Sequence, residues 1–291
     1  MAPYALLAPA IVVIVAVLGY PLYQLGALSF QQYGLFELIA HEGKWIGFDN
    51  YSQIFHDRQF WTVLLRTGVF TGVTVGLTMV FGTLIALLLA QLGGFMRLLI
   101  TTGLILVWSM PPVVSVNIWN WMVDYEFGVA NWTLAHLGLE YFDHHDWFVN
   151  PLEGFAVIGA IVVWGAIPFV TITVYAGLTQ VPRELVEAAS IDGSNAFRIF
   201  RDITLPLLKP IFVILTSLSV IWNFQVFSQI WIIRNARPES EYFVMSIYSF
   251  VTSFNISQYG LGSAIAVVMV LVMLTVTIFF TRHMVRIGEI K

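Results

Sequence analysis

The sequence predicts an all-α integral membrane protein with six transmembrane helices. Of its 291 residues, 58% are hydrophobic and only 10% are charged, whereas about a quarter of the residues in a soluble domain are charged. The mean hydropathy is +0.83. The charged residues leave six long uncharged runs, and each run can hold the roughly 20 apolar residues that a membrane-spanning helix needs. These three observations argue against a soluble fold.

Each uncharged run supplies one predicted span of a single transmembrane domain that covers residues 1–291. The run over 242–281 is long enough for two spans, but its first part is rich in Ser, Asn, Gln and Tyr, so we place only one span there. The first run has no basic start and is longer than a signal-peptide core, which favours a retained span. The predicted spans cover residues 5–30, 67–91, 98–122, 155–178, 210–233 and 261–282.

The basic residues predict the orientation of these spans. With six spans, both chain ends lie on the same side of the membrane. Basic residues in short loops favour the cytoplasmic side, so the side with more of them is predicted to be cytoplasmic. That side holds Arg97, Arg183, Arg198, Arg201, Lys209, Arg282, Arg286 and Lys291, and the other side holds Lys44, Arg58, Arg66, Arg234 and Arg237. Both termini are therefore expected in the cytoplasm.

Composition and motifs argue against several other functions. A net charge of −4 argues against a nucleic-acid partner, which needs a basic patch. The chain has no cysteine, so thiolate metal sites and cysteine nucleophiles are excluded. It has no phosphate-binding Gly-x-x-x-x-Gly-Lys-Ser/Thr loop and cannot hydrolyse ATP alone. The neighbours His144, His145 and Asp146 cannot easily all face one ion, so neither a metal site nor a catalytic site is predicted.

Residues 180–209, between spans four and five, form the one long charged and plausibly helical segment, here called the insert. Pro182 suits the first position of a helix, and Asp192-Gly193 is a turn signal because glycine adopts the left-handed conformation that ends a helix. Ser194 is expected to cap a second helix, which Leu205-Pro206 would end. Phe197, Phe200 and Ile203 form an apolar face on that helix, and Arg198 and Asp202 are spaced to pair. The insert is either a loop packed on its own protein or a knob that fits a soluble partner.

The spans suggest a neutral cargo. Their centres contain no ionisable side chain, whereas proton- or sodium-coupled carriers usually have one. Span five carries the polar or aromatic side chains of Trp222, Asn223, Gln225 and Gln229. Amides can bind sugar hydroxyls without charge, and aromatic faces stack on sugar rings. The alternative is that these polar groups hold helices together.

The insert resembles the EAA loop of ATP-binding-cassette importer permeases. The resemblance rests on Glu187-Ala188-Ala189, Asp192-Gly193, Phe200, Ile203 and Leu205-Pro206, and on the position before the penultimate span. Over nearly the whole chain the sequence is similar to the maltose-type (MalF-like, carbohydrate uptake transporter family 1) sugar permeases, through WIGFDNYSQIF at 45–55, WSMPPVVSVNIWNWMVDYEFGVAN at 108–131, WFVNP at 147–151 and AGLTQVPRELVEAA at 176–189. One departure follows span five, where the family often has Thr-x-Gly-Gly-Pro and this chain has Arg234-Asn235-Ala236-Arg237-Pro238.

This resemblance implies the type I permease fold of ABC importers and a set of partners. These are a second permease subunit, two ATPase subunits docked on the insert, an extracytoplasmic sugar-binding protein and a di- or oligosaccharide substrate. It implies that this chain is not an enzyme and binds no cofactor, since ATP and Mg²⁺ belong to the ATPases. The implied ATPase-coupling residues are Glu187, Ala188, Ala189, Asp192, Gly193, Phe197 and Phe200. The expected substrate path contains Gly165, Ala166, Phe169, Ser219, Trp222 and Asn223, with Gln225 added from the span-five pattern.

Two rival functions are open at this point. One is a secondary carrier or channel for a neutral solute, against which the uncharged spans and the EAA-like insert argue. The other is an integral membrane enzyme, which would need acids, bases or a metal cluster near the membrane, and the sequence offers none.

Overall fold

The computed structural model describes residues 7, 9 and 11–289, with side chains as far as residue 284. Residues 5 and 6 of the first predicted span, and the side chains of Arg286 and Lys291 that entered the orientation argument, lie outside the described part. The chain divides into two compact units. Unit 1 is Met1–Thr67 with Phe243–Thr275, and unit 2 is Gly68–Tyr242 with Val276–Lys291.

Unit 1 begins with an apolar helix and a small subdomain. Helix α1 is Ile11–Ser29, and most of its side chains are exposed, as expected of a span that faces lipid or another subunit. Strands β1 (Gln31–Gln32) and β2 (Lys44–Trp45) pair antiparallel around helix α2 (Leu35–Ala40). Helix α3 (Asp49–His56) and the first part of α4 (Arg58–Gln91), as far as Thr67, follow, and the rest of α4 belongs to unit 2.

Hydrogen bonds from buried side chains hold unit 1 together. The buried Asn50 amide donates 2.9 Å bonds to the carbonyls of Ser29 and Gln31, which ties α3 to the end of α1. Helix α13 (Met245–Phe250) and the part of α14 (Tyr259–Glu289) that ends at Thr275 complete the unit, and the rest of α14 belongs to unit 2. The segment before α14, which we had predicted not to span the membrane, is partly buried, and the backbone N–H of Met245 donates to Thr67 Oγ1 at 2.9 Å.

Unit 2 contains the α-helices between α4 and α13. These are α5 (Gly94–Trp108), α6 (Pro112–Met122), α7 (Val129–His136), α8 (Pro151–Leu178), α9 (Arg183–Ile191), α10 (Ala196–Ile199), α11 (Leu205–Phe224) and α12 (Ser228–Ile233). Its core joins α4, α8 and α11 through the buried Ala86, Val170, Val174 and Leu215. Gly82 lets α4 and α8 approach closely, because a Cβ there would lie 2.6 Å from Val170.

The fold class expected from the sequence, a helical membrane protein, is confirmed. Five helices among the described residues are long and apolar enough to cross a membrane, or six if one bent pair counts as a span. The bent pair is α5 and α6, which meet at 102°, so the predicted span 98–122 is two helices. The cause is Pro111-Pro112, because proline removes a backbone donor and restricts the residue before it.

Candidate functional site

A cleft of about 340 Å³ opens in unit 2 between α8, α11 and the bend that joins α5 to α6. The structure brings all seven residues of the predicted substrate path to its walls: Gly165, Ala166, Phe169, Ser219, Trp222, Asn223 and Gln225. They come from two helices that are about fifty residues apart in sequence. The residues on α8 and those on α11 therefore converge on one cavity.

Irregular backbone borders this cleft at the end of α11, and a proline lies inside α8, the helix that forms another wall. Helix α11 ends at Phe224, and residues 225–227 are not helical before α12 begins at Ser228. Pro168 lies inside α8 and cannot donate a hydrogen bond to the carbonyl four residues earlier. At membrane depth, backbone of this kind is tolerated where it is buried in protein or lines a water-filled cavity. The broken helix therefore fits a solvated path.

Asn223 is the most unusual polar group of the cleft. It is only 4% exposed. Its Nδ2 donates to the Ser219 carbonyl at 2.7 Å, within its own helix. Its Oδ1 is buried and accepts no hydrogen bond from the described residues. A buried acceptor without a donor costs about 1–3 kcal/mol, so a movement that opens this oxygen to a ligand hydroxyl is favoured by the new hydrogen bond.

Three aromatic rings form one wall of the cleft. Phe169 stacks on Trp108 with ring centroids 5.9 Å apart and meets Trp222 edge-on at 5.2 Å. Trp222 is 52% exposed, so much of its ring is available for contact. Opposite this crowding, a Cβ added at Gly165 would meet nothing within 4 Å. The cleft thus combines aromatic surface, open space and an unpaired amide oxygen.

Sequence reasoning missed part of this wall. Trp108, Met110 and Ser115 line the cleft from the α5–α6 bend, and we had not placed them on the path. The signal that could have found them is the neighbouring Pro111-Pro112, since a sharp bend can expose the residues around it. Trp164, which precedes Gly165 on α8, does not line the cleft and instead meets Trp119 at 6.2 Å.

The insert is the second candidate site, and it forms two short helices as predicted. Helix α9 is followed by Gly193 with φ +80°, the left-handed conformation expected of a glycine that ends a helix. The second helix is capped by Asn195, whose Oδ1 accepts the Arg198 N–H at 2.9 Å, and not by Ser194 as predicted. Asn195 is the residue directly before the first helical residue, Ala196, so its side chain and not that of Ser194 occupies the capping position.

Two further expectations about the insert were wrong. Leu205-Pro206 does not end the second helix: α10 passes through a π-helical turn, Phe200–Thr204, directly into α11. Pro206 directly follows the π-helical turn, and because proline lacks a backbone donor, the break that it makes in the i→i−4 hydrogen bonds falls where the turn already interrupts them. Asp202 approaches Arg201 at 3.7 Å, and the structure gives no Arg198–Asp202 ion pair.

The insert exposes apolar side chains. Ile191 is 86% exposed and Phe197 is 72% exposed. Of the other residues assigned to coupling, Glu187, Ala188, Asp192 and Gly193 are exposed, and Ala189 and Phe200 are half-buried. Large apolar side chains that stand in water at the tip of a charged segment are typical of a protein–protein contact.

Beside the insert, Arg97 anchors the end of α4. Its Nη2 donates to the Leu92 carbonyl at 2.6 Å and its Nε to the Leu89 carbonyl at 3.1 Å. A basic side chain here satisfies carbonyls that a helix end leaves unpaired. The guanidinium also lies 5.5 Å from the Tyr175 ring, which links α4 to the last turn of α8 just before the insert.

Two histidines in the loop between α7 and α8 pair with carboxylates. His144 Nδ1 lies 3.0 Å from Asp143, and His145 Nε2 lies 2.7 Å from Glu153. The Glu153 charge also raises the pKa of the Tyr141 hydroxyl. Among the described residues, no group of three or more His, Asp or Glu side chains could hold a metal ion.

After span five, two residues other than glycine have backbone in the left-handed region. Asn235 and Ala236 have φ values of 51° and 60°. Asparagine tolerates the left-handed region, but alanine pays about 1–2 kcal/mol there. Arg234 compensates by a paired hydrogen bond to Glu239, at 2.6 and 3.0 Å, and by lying 4.7 Å from the Tyr242 ring.

Apolar spans, a polar cleft bordered by a broken helix and an exposed insert define a membrane transport protein. Residues 79–286 match the family model described as "Binding-protein-dependent transport system inner membrane component". The chain belongs to this family, and it is therefore a permease component of the inner membrane.

Relatives and solved structures agree with this assignment. The chain is 40% identical over 289 residues to the diacetylchitobiose uptake system permease protein DasB of Streptomyces coelicolor, covering 99% of this chain and 88% of the relative. It is 33% identical over 242 residues to the trehalose/maltose transport system permease protein MalF of Thermococcus litoralis, covering 83% and 80%. Its fold is similar to that of a chain from a bacterial ABC transporter that imports alginate, with a TM-score of 0.82 at 21% identity, covering 98% and 95% of the two chains.

Proposed function

We propose that this chain is the permease subunit of an ATP-driven importer of di- or oligosaccharides. The relatives named for diacetylchitobiose and for trehalose/maltose support a sugar as the cargo. The observation that carries the proposal is the cleft. It pairs the unpaired Oδ1 of Asn223 with the exposed face of Trp222. A neutral sugar offers hydroxyl donors to the amide oxygen and a flat apolar ring face to the tryptophan. The lining residues of the cleft include no charged side chain that would select an ion.

The energy for transport comes from partner subunits in this proposal. The chain has no phosphate-binding loop of its own, so ATP and Mg²⁺ are bound by two ATPase subunits that dock on the insert, and this chain itself binds no cofactor. A second permease completes the path, and an extracytoplasmic sugar-binding protein delivers the cargo. The family description, which couples transport to a binding protein, supports the last of these partners.

The continuous helix supplies a route from the insert to the cleft. From Ala196 to Ile233 the chain forms one candidate span, interrupted only by the π-helical turn and the break at 225–227. At 1.5 Å per residue, Phe200 and Asn223 are about 34 Å apart along it. A rigid helix carries a push on the insert to the cleft residues Ser219, Trp222 and Asn223. Alternating access then follows when the ATPases close and open.

The orientation is part of the proposal. The excess of basic residues near the span ends on one side supports a cytoplasmic location of both termini and of the insert. Because the chain has no native cysteine, an impermeant thiol reagent gives no background from this subunit. Ser194→Cys should react only from the cytoplasmic side and Asp143→Cys only from outside. Labelling with the sides exchanged would reverse the topology.

Asn223→Leu tests the path. Leucine has a similar size but removes both the acceptor and the donors. A lost neutral hydrogen bond is worth about 0.5–1.5 kcal/mol, so sugar uptake per assembled complex should fall several-fold while the amount of complex is unchanged. The matched control is Asn117→Leu on α6. The Asn117 side chain is exposed and does not line the cleft, and among the described contacts its amide donates only to Val113 of the same helix.

The two roles open for Asn223 give different results in this experiment. If the amide holds helices together, Asn223→Leu lowers the amount of assembled complex and leaves uptake per complex normal. That outcome would remove Asn223 from the path. Both quantities are measured in the same membranes, by quantitative blotting of the complex and by initial rates of labelled-sugar uptake.

A further inference from the structure

A second, apolar groove runs along the outside of unit 2 between α11 and the end of α14. Its volume is about 630 Å³. It is separate from the cleft, with which it shares no lining residue. The groove is lined by Leu205, Pro206, Lys209, Phe212, Val213 and Thr216 of α11 and by Phe279, Phe280 and His283 of α14.

The lining residues follow one face of each helix. On α11 they recur at steps of three and four residues, and on α14 Phe279 and His283 are four residues apart, which is the spacing of a single helical face. From Leu205 to Thr216 the face extends about 16 Å at 1.5 Å per residue. This length equals about half of the roughly 30 Å hydrocarbon core, which is one lipid leaflet.

The groove lining contains one lysine and one histidine. Lys209 lies one turn after Leu205 on α11, and His283 lies one turn after Phe279 on α14. Both side chains are exposed, and the lining contains no carboxylate. The groove therefore carries a cationic side chain in the half of its α11 wall nearer the insert, and the rest of that wall is mostly apolar.

We propose that this groove binds an anionic phospholipid. The phosphate lies against the Lys209 ammonium, and one acyl chain packs along Phe212 and Phe279. Apolar length, one-leaflet depth and a cation without a competing carboxylate match this ligand, since basic pockets between membrane helices bind anionic headgroups. A zwitterionic lipid fits the apolar part but lacks the net charge that Lys209 selects.

The position of the groove gives the lipid a role. Its first residue, Leu205, follows the π-helical turn Phe200–Thr204 through which the insert joins α11. A phospholipid held there braces the base of the helix that leads from the insert to the cleft. The inference does not depend on the sugar or on the membrane orientation, because the lipids are offered to the protein in detergent.

The experiment measures lipids retained by the full chain, purified in neutral detergent, with native mass spectrometry. The probes are phosphatidylglycerol and phosphatidylcholine with identical acyl chains. The parent chain should retain phosphatidylglycerol in preference. Lys209→Gln should lower this retention about five-fold, the factor expected for one cationic side chain near an anionic surface. The matched control is Lys44→Gln, which removes an exposed lysine from strand β2.

Thr216→Trp tests the apolar part separately by filling the groove, and it should lower the retention of both lipids. Equal effects of Lys209→Gln and Lys44→Gln, or equal retention of the two lipids by the parent chain, would overturn the proposal. A third result would also overturn it. In native membranes, Thr216→Cys would form a thiol crosslink to a neighbouring protein, and a photoreactive phosphatidylglycerol would not label the groove. A protein helix would then occupy the groove.

Discussion

The cleft and the insert depart from the ordinary distribution of side chains in opposite senses. In the cleft, the polar Asn223 is 4% exposed among apolar spans. In the insert, Ile191 and Phe197 are 86% and 72% exposed on a charged segment. A buried amide oxygen without a donor and an apolar ring in water both cost free energy in the isolated chain.

This contrast teaches how to read each site. Among the apolar spans, a buried polar side chain with an unpaired atom indicates a binding site. On the charged insert, an exposed large apolar side chain indicates a contact with another protein. We infer that a ligand satisfies the first and a partner protein covers the second. Four experiments test this contrast, from the largest expected effect to the smallest.

Gly165→Leu tests whether the open space of the cleft is the path. A Cβ at Gly165 meets nothing within 4 Å, whereas one at Gly177 would lie 2.7 Å from Ile211 Cδ1. Leucine at 165 is therefore compatible with the fold but projects into the cleft. Sugar uptake per assembled complex should fall about a hundred-fold, because the leucine side chain would fill space that the sugar needs and methylene-sized changes in a binding pocket alter rates roughly 10–200-fold.

The controls for this variant separate blockage from misfolding. Gly165→Ala should transport nearly normally, and Gly177→Leu should instead reduce the amount of folded chain. Normal uptake by Gly165→Leu would mean that the sugar does not pass through this cleft.

Phe197→Ala tests the exposed ring of the insert. If Phe197 enters a pocket of an ATPase subunit, its truncation should weaken docking about thirty-fold, since anchoring residues of an interface contribute 2 kcal/mol or more. The measurement is copurification of the ATPase at graded concentrations. Phe36→Ala in α2, which removes an equally exposed ring of 78% exposure outside the insert, should have no effect. An equal loss in both variants would contradict a specific contact.

Gly193→Val tests the shape of the insert. At φ +80° a β-branched residue is strained, although a Cβ would meet nothing within 4 Å. The strain of about 1–3 kcal/mol should lower sugar-stimulated ATP hydrolysis about tenfold while the chain stays in the membrane. Gly193→Asn should retain most activity, because asparagine tolerates the left-handed region. Full coupling in the valine variant would show that this turn does not position the docking surface.

The smallest effect concerns the segment after α12, where polar groups are already paired with each other. The hydrogen bond from Arg234 holds the pKa of Glu239 below its ordinary value of 4.5. The pair therefore stabilises the fold above that ordinary pKa, and this stability is lost as the pH falls through the lowered pKa. Since the Glu239 side chain is 52% exposed, screening limits the effect to about 1 kcal/mol or less.

Glu239→Gln measures this contribution. The variant should melt slightly below the parent at pH 7, and the difference in Tm should disappear at a pH well below 4.5. Sugar uptake per complex should be unchanged, in contrast to Asn223→Leu. A difference in Tm that persists in acid would assign the effect to packing of the Glu239 side chain and not to its charge.

Much of the fold and of the two sites could be predicted from local sequence. Uncharged runs are long enough to reveal spans because the bilayer excludes charge over about 20 residues. The turn at Gly193 could be predicted because its left-handed conformation is a property of one residue. The cap at Asn195 could not be separated from Ser194, since both residue types cap helices and the choice depends on where the helix begins.

The sequence by itself determined the class of protein, the number of apolar segments and the position of the charged insert between spans four and five. All three depend on composition and on spacing within a few turns of helix. Only the tertiary structure decided that Trp108 and Ser115 join Asn223 in one cleft, that α5 and α6 meet at 102°, and that α10 continues into α11. The physical reason is that packing between helices and the state of each hydrogen-bonding group depend on residues far apart in sequence, which periodicity does not encode.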